Sequence, residues 1–367
     1  MILPLKVIRL KAFRTFGLST FPINITVSIT NKCNSRCKTC NIWKMDKKSE
    51  SELNFAEFEK IFKSLGKAYW FTVSGGEPFL REDVADICRA ISVHCTPKII
   101  NIPTNATLPE VIEKRTKEIL QNIKKTNIIV NLSLDGVGPK HDEMRGRKKN
   151  FELFLETYKR LNELKGAFKN LKVGVHTVLS TYNLNELETI YNFVKGLKPD
   201  SHIFEVAEQR VELNTVGRGI TPDPEDLSAV INNIMDAIQH DYIESGEFLI
   251  RLIHCFRLEY YDIIKRTLKE QRQIIPCYAG YASCQISPYG DVWACCIHCK
   301  SLGNLKDVDF DFKKVWLSEQ ADEIRKSIKS GDCYCPLANA MYTSMLCDFG
   351  SMRRVLTRLF KSYFPSP

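Results

Sequence analysis

The stretch Asn31-Lys-Cys-Asn-Ser-Arg-Cys-Lys-Thr-Cys-Asn-Ile-Trp43 sets Cys33, Cys37 and Cys40 in C-x3-C-x2-C spacing directly behind a β-rich run at 23–29. Thiolates so close together can wrap one cubane iron–sulfur cluster, for which cysteine is the usual ligand. Three ligands to four irons leave one iron without a protein partner, and an open coordination position separates a catalytic metal site from a structural one. A zinc knuckle is the competing reading. It wants four ligands, and no His or fourth Cys adjoins the three.

The chain has 14 cysteines in 367 residues; eight lie from Cys277 to Cys347, and only Cys88, Cys95 and Cys255 stand alone. Clustering of this kind favours metal binding over scattered core thiols, provided the compartment is reducing. That compartment is expected to be the cytoplasm: Lys6, Arg9, Lys11 and Arg14 interrupt the apolar N-terminal stretch, and no small-residue cleavage site follows. No apolar run reaches the ~20 residues needed to span a bilayer. Hydrophobic residues at 44% and charged residues at 26% suit a globular protein with a substantial core. The net charge of +9 is compatible with an anionic substrate, an acidic membrane or a solvated basic surface, and there is no specific nucleic-acid signal.

Outward from the cysteine loop, β-rich runs at 23–29, 69–73, 98–103, 128–134, 172–179 and 202–207 alternate with helical periodicity at 55–65, 83–93, 108–123, 151–164 and 184–194. Asn54 and Glu57 have capping-box spacing ahead of the first helix. Repeated strand–helix units imply a parallel sheet with right-handed crossovers, so the fold class is α/β: a partial (β/α)6 TIM-like barrel with chemistry at the C-terminal strand ends. After 207 the periodicity shifts to helical stretches around 227–243 and 258–271. From 276 the chain is Cys-, Gly- and Pro-rich, a composition expected to build its core around metal. The expected organisation is a basic amphipathic segment (1–22), the barrel (23–225), a helical linker (226–275), a cysteine domain (276–347) and a basic amphipathic tail (348–367).

The C-x3-C-x2-C loop, with Trp43 close behind it, resembles the signature of the radical S-adenosylmethionine (radical SAM) family. The resemblance implies a SAM-binding [4Fe-4S] cluster on Cys33, Cys37 and Cys40, reductive cleavage of SAM, and a 5′-deoxyadenosyl radical that abstracts hydrogen from a substrate. The cofactors carry that chemistry and the protein positions them. Gly75-Gly76-Glu77 looks like the family's Gly-Gly-Glu segment, which holds the SAM amino group. Thr104-Asn105 resembles its Thr-Asn segment, and Ser133 with Asp135 a motif facing SAM or substrate. Arg145 could pair with the SAM carboxylate through its planar fork, or form a surface salt bridge. Ser180 and Asn183 could add cofactor contacts, and Glu205 could face the barrel lumen but is read first as a rim carboxylate.

Cys277-x12-Gly290-x4-Cys295 resembles the opening of a SPASM or twitch domain, an accessory module carrying auxiliary clusters. Cys333 and Cys335 would complete four thiolates for one closed cluster. Cys284, Cys296, Cys299 and Cys347 are left over, enough on paper for a second, so one or two auxiliary iron–sulfur clusters are expected; zinc is again the alternative. The family also implies a reducing partner of flavodoxin or ferredoxin type.

The segments 1–18 and 351–363 are basic and apolar, compatible with peripheral contact at an anionic membrane or with packing on the barrel. Only about 22 residues precede the first strand, which tilts the expected substrate towards a small molecule or lipid. The alternatives are a peptide- or protein-modifying maturase and, in another class, a non-catalytic iron–sulfur electron carrier.

Overall fold

The computed structural model describes residues 3–45, 51–244 and 246–364; Met1, Ile2 and 365–367 of the terminal segments lie outside it. Six parallel strands run β1 (Asn24–Thr30), β2 (Trp70–Gly75), β3 (Ile99–Thr104), β4 (Asn127–Ser133), β5 (Leu171–Leu179) and β6 (Ser201–Val206). An N-terminal helix α1 (Leu3–Phe16) precedes them, and α2 (Phe55–Leu65), α3 (Val84–Cys95), α4 (Pro109–Asn122), α5 (Pro139–Arg145), α6 (Asn150–Leu164) and α7 (Leu187–Leu197) connect them. The capping box forms as expected: Asn54 N–H donates to Glu57 Oε2 (2.8 Å) and Glu57 N–H to Asn54 Oδ1 (3.1 Å).

Strand alternation sorts the barrel's two faces. Ile25, Val27, Phe71, Val73, Ile100, Ile102, Val130 and Val173 are wholly buried in the main core, under the helices. The opposite face is polar, as register shows: Thr26 pairs with Thr72, Thr72 with Asn101, Pro103 with Asn131, Ser133 with His176 and Val178 with Glu205. These residues line the lumen, where Asn131 Nδ2 donates to Asn101 Oδ1 (2.7 Å).

Downstream come α8 (Pro224–Ile238), α9 (Phe248–Glu270), β7 (Ser283–Ile286), β8 (Asp291–Trp293), β9 (Ser301–Asn304), α10 (Phe312–Trp316), α11 (Glu319–Ser330), α12 (Ala338–Cys347) and α13 (Phe349–Tyr363). Strand β7 adds in parallel to β1, with Thr26 opposite Gln285, and β8 and β9 follow antiparallel, giving one nine-stranded sheet in the order β6-β5-β4-β3-β2-β1-β7-β8-β9. The cysteine-rich segment is therefore continuous with the barrel.

Its core is not built around metal alone, which corrects the compositional expectation. Trp316 is fully buried and its indole N–H donates to Thr20 O (2.8 Å). The buried Arg325 guanidinium lies 4.5 Å from the Trp316 ring and 4.8 Å from that of Phe13, and donates to Gly280 O and Trp316 O. Helix α9 also begins ten residues before the helical stretch read from sequence, because its first turns carry Phe248, Leu249, Ile250 and Ile253 exposed and so lack an amphipathic signature. No helix among the described residues is long and apolar enough to cross a membrane.

Candidate active site

The cysteine loop starts where β1 ends and is gripped from two sides. Behind β2, Gly76 N–H donates to Thr30 O (2.7 Å) and Glu77 N–H to Lys32 O (2.8 Å). A Cβ on Gly76 would stand 2.2 Å from Lys32 O, and Gly75, at φ +137°, faces Thr30 O equally closely. The glycine pair is thus required by the approach of two backbones. At the end of α5, Arg36 N–H donates to Arg145 O and Lys38 N–H to Met144 O, while a Cβ on Gly146 would meet Arg36 O at 2.3 Å.

Each of the three sulfurs has an N–H donor from a different source. Asn105 Nδ2 lies 3.9 Å from Cys33 Sγ, Arg145 Nη1 is 3.6 Å from Cys37 Sγ, and Ile42 N–H is 3.5 Å from Cys40 Sγ. Donors suit sulfurs that act as thiolates, as cluster ligands do. With no group bound, burial and the neighbouring thiols raise Cys33 to about 11 and Cys40 to about 12. Metal would have to displace those protons. Among the described residues no three Cys, His, Asp or Glu side chains converge closely enough to share one metal ion.

The strand-end residues come together, but largely with one another. Buried Glu77 accepts from Thr104 Oγ1 (2.9 Å), Asn105 N–H (2.7 Å) and Phe79 N–H (3.2 Å), clasping β2 to β3. Asn105 continues to Asn34 Oδ1 (2.6 Å) in the cysteine loop. Asp135 Oδ1 accepts from Val178 N–H (2.9 Å), and its Oδ2 lies 2.9 Å from Arg145 Nη2. The Arg145–Asp135 pair is buried, which excludes the surface-bridge reading and leaves Arg145 already committed to Asp135 and Cys37. Its Nε has no hydrogen-bond partner among the described residues. Ser133, at the end of β4, faces the lumen opposite His176. Ser180 Oγ donates to Asn183 Oδ1, and Asn183 Nδ2 donates to the carbonyls of Asp135 and Val178, so this pair ties β4 to β5. Glu205 sits inside the barrel, 3.5 Å from His176 Nε2, not on the rim.

Sequence reasoning missed the segment after β6, where Glu208, Arg210 and Glu212 alternate. It spans the two cysteine groups: Asn41 N–H donates to Leu213 O, Asn41 Nδ2 to Asn214 O, and Val211 N–H to Ile297 O. Arg210 pairs with Glu208 (3.2 Å), and Gln285, which reaches Ser28 Oγ (3.0 Å), also donates to Glu212. The period-two charge pattern just past a buried strand was the available signal.

In the tail, Cys277, Cys333 and Cys335 line a cavity of about 40 Å³, and Cys277, Cys295, Cys333 and Cys335 together line its neighbour of about 20 Å³. The four expected sulfurs are thus brought together around apolar walls. The four others are not. Cys296 and Cys299 lie beside Glu212, whereas Cys284 is buried in β7 near Arg325 and Cys347 at the end of α12 near Lys11.

Buried titratable groups make stability depend on pH. Burial, with Arg145 beside it, holds His141 down to about 3; burial and Arg257 hold His254 to about 3, and His202 is held well below its ordinary 6.5. Below pH 6.5 these three take up protons only when the chain unfolds, so stability falls as pH falls. Burial raises Glu77 and Glu208 to about 7 from 4.5, so the folded chain holds two extra protons between those values, which opposes the trend. Burial raises Glu212 as well, so between about pH 6 and 5 these carboxyls offset the three histidines, and stability falls with pH below about 4.5, where the carboxyls are protonated in both states. Urea midpoints of the apoprotein across pH 4–7 measure the slope; midpoints that rise on acidification would contradict it.

Residues 27–194 match the radical SAM superfamily and residues 277–336 match SPASM, an iron–sulfur cluster-binding domain. Among curated relatives, the chain is 27% identical over 299 residues to the antilisterial bacteriocin subtilosin biosynthesis protein AlbA of Bacillus subtilis, covering 79% of this chain and 59% of that protein. It thus spans less than two thirds of that relative. It is 25% identical over 327 residues to the AdoMet-dependent heme synthase of Methanosarcina barkeri, covering 84% and 86%. Among solved structures, Streptococcus suis SuiB bound to its precursor peptide SuiA superposes with a TM-score of 0.60 at 18% identity, covering 85% of this chain and 69% of that one. That likeness extends to the fold.

Proposed function

As a member of the radical SAM superfamily with a SPASM domain behind its core, this chain is an enzyme using a [4Fe-4S] cluster, SAM and auxiliary iron–sulfur chemistry, and we propose that it modifies a peptide or protein side chain. When bound, such a cluster would supply the single-electron chemistry for reductive cleavage of SAM and hydrogen abstraction from the substrate. Cys33, Cys37 and Cys40 would hold that cluster, and Cys277, Cys295, Cys333 and Cys335 the auxiliary one. Gly75 and Gly76 bring the β2 loop against the cysteine loop, so backbone groups there meet the SAM amino end. Glu77, Thr104, Asn105, Asp135 and Arg145 act as positioning residues, fixing strand ends through the buried bonds described above. Ser133 is free to face the cofactor.

The observation carrying the substrate reading is the similarity to AlbA, seconded by the SuiB fold. It replaces the small-molecule or lipid expectation. The lumen agrees: Thr72, Asn101, Asn131, His176, Glu205 and Gln285 offer donors and acceptors suited to amide groups. The heme synthase, matched over most of both lengths, supports a tetrapyrrole as the second reading.

Anaerobically reconstituted protein, given SAM and dithionite, is expected to form 5′-deoxyadenosine and to change the mass of a peptide encoded beside its gene. Turnover of an iron porphyrin precursor with every such peptide unchanged would select the second reading. No 5′-deoxyadenosine from the fully loaded protein would remove both.

A further inference from the structure

We propose that the outer face of α13, together with the first turns of α9, is a docking surface for an anionic membrane. Helix α13 is amphipathic towards the protein, burying Ser351, Val355 and Leu359. It carries a second apolar stripe on the opposite side. Phe349, Leu356 and Phe360, continued by Phe364 just past its end, follow helical spacing and point outward, with Phe349 77% and Phe360 64% exposed. The Phe360 and Phe364 rings contact each other at 4.8 Å in solvent.

Helix α9 extends the patch. Arg251 donates to Ser362 O (2.6 Å) and its guanidinium lies 4.4 Å from the Tyr363 ring, fixing the start of α9 beside the end of α13. Phe248, Leu249 and Ile253 are exposed there, Leu249 by 64%. Large side chains left outward on two adjoining helices form a contiguous apolar surface, which a globular protein retains where something covers it.

Charge selects the occupant. From Phe349 to Phe364 there is no Asp or Glu, but Arg353, Arg354, Arg358 and Lys361. Arg354 and Arg358 turn inward to Glu259 and Asp262 of α9, leaving Arg353 and Lys361 exposed along the apolar stripe. Helix α1 repeats the pattern, with Lys6, Arg9, Lys11 and Arg14 and no acid. Most of the chain's +9 thus resides in two helices. Cations flanking large apolar and aromatic side chains match the headgroup and acyl layers of an anionic bilayer, in the way an interfacial helix engages one. A protein partner would require complementary acids, and a second copy would set these cations against their own kind.

The test is co-sedimentation of the full-length, cluster-loaded protein with 1:1 phosphatidylglycerol/phosphatidylcholine vesicles, with pure phosphatidylcholine as reference. The expected result is binding to the anionic vesicles that weakens about tenfold or more in Arg353→Glu/Lys361→Glu and in Phe360→Ser/Phe364→Ser. Unchanged auxiliary-cluster absorbance shows that the variants fold. Three results would overturn the proposal: no binding by the parent protein, equal binding by both variants, or a parent dimer that the Phe360→Ser/Phe364→Ser variant converts to monomer.

Discussion

Replacing Cys33, Cys37 and Cys40 together by Ala brings 5′-deoxyadenosine formation down to the no-enzyme level while the iron–sulfur absorbance of the tail persists. The effect is all-or-none because these three sulfurs sit on one loop, each with its own N–H donor. The tail survives because its four sulfurs line a separate cavity whose walls, Ala279, Ile297 and Ala340 among them, are side-chain core. Anaerobic iron counting and product analysis on one preparation read both halves. Retained SAM cleavage would refute the assignment of the catalytic cluster; loss of all iron would show that the two sites do not load independently.

Arg145→Leu is expected to destabilise the apoprotein by about 3–5 kcal/mol, because it leaves the Asp135 carboxylate buried and unpaired. The same change removes the donor to Cys37 Sγ. Adding Asp135→Leu recovers part of the loss, since replacing both members of a buried pair costs far less than breaking it. Residual loss is expected because Asp135 also accepts from Val178 N–H. Urea denaturation of the two single variants and the double variant gives the coupling directly. A single-variant loss below about 1 kcal/mol would mean that water reaches the carboxylate and the pair is not the lock that the geometry describes.

The candidate site was legible where local rules suffice. The cysteine spacing, the glycine pair and the capping box are short-range, so their chemistry reads from consecutive residues. The roles of Arg145, Ser180 and Asn183 were not legible in this way. Each is a polar side chain whose partner lies on another strand or helix, and sequence cannot say whether it faces a ligand or Asp135. Glu208, Arg210 and Glu212 escaped for the same reason: they look like a loop until Asn41 and Ile297 are seen on either side of it.

Periodicity and spacing determined, without tertiary information, that strand–helix units build a parallel sheet and that two cysteine groups stand at its beginning and its end. Folding decided how those groups meet. Strand β7 pairs with β1, and both bury apolar side chains in one core, a long-range event that no local pattern encodes. The outward stripe of α13 is the counterpart on the surface. Composition makes that helix apolar on two sides, and only packing against α9 settles which side remains for a partner.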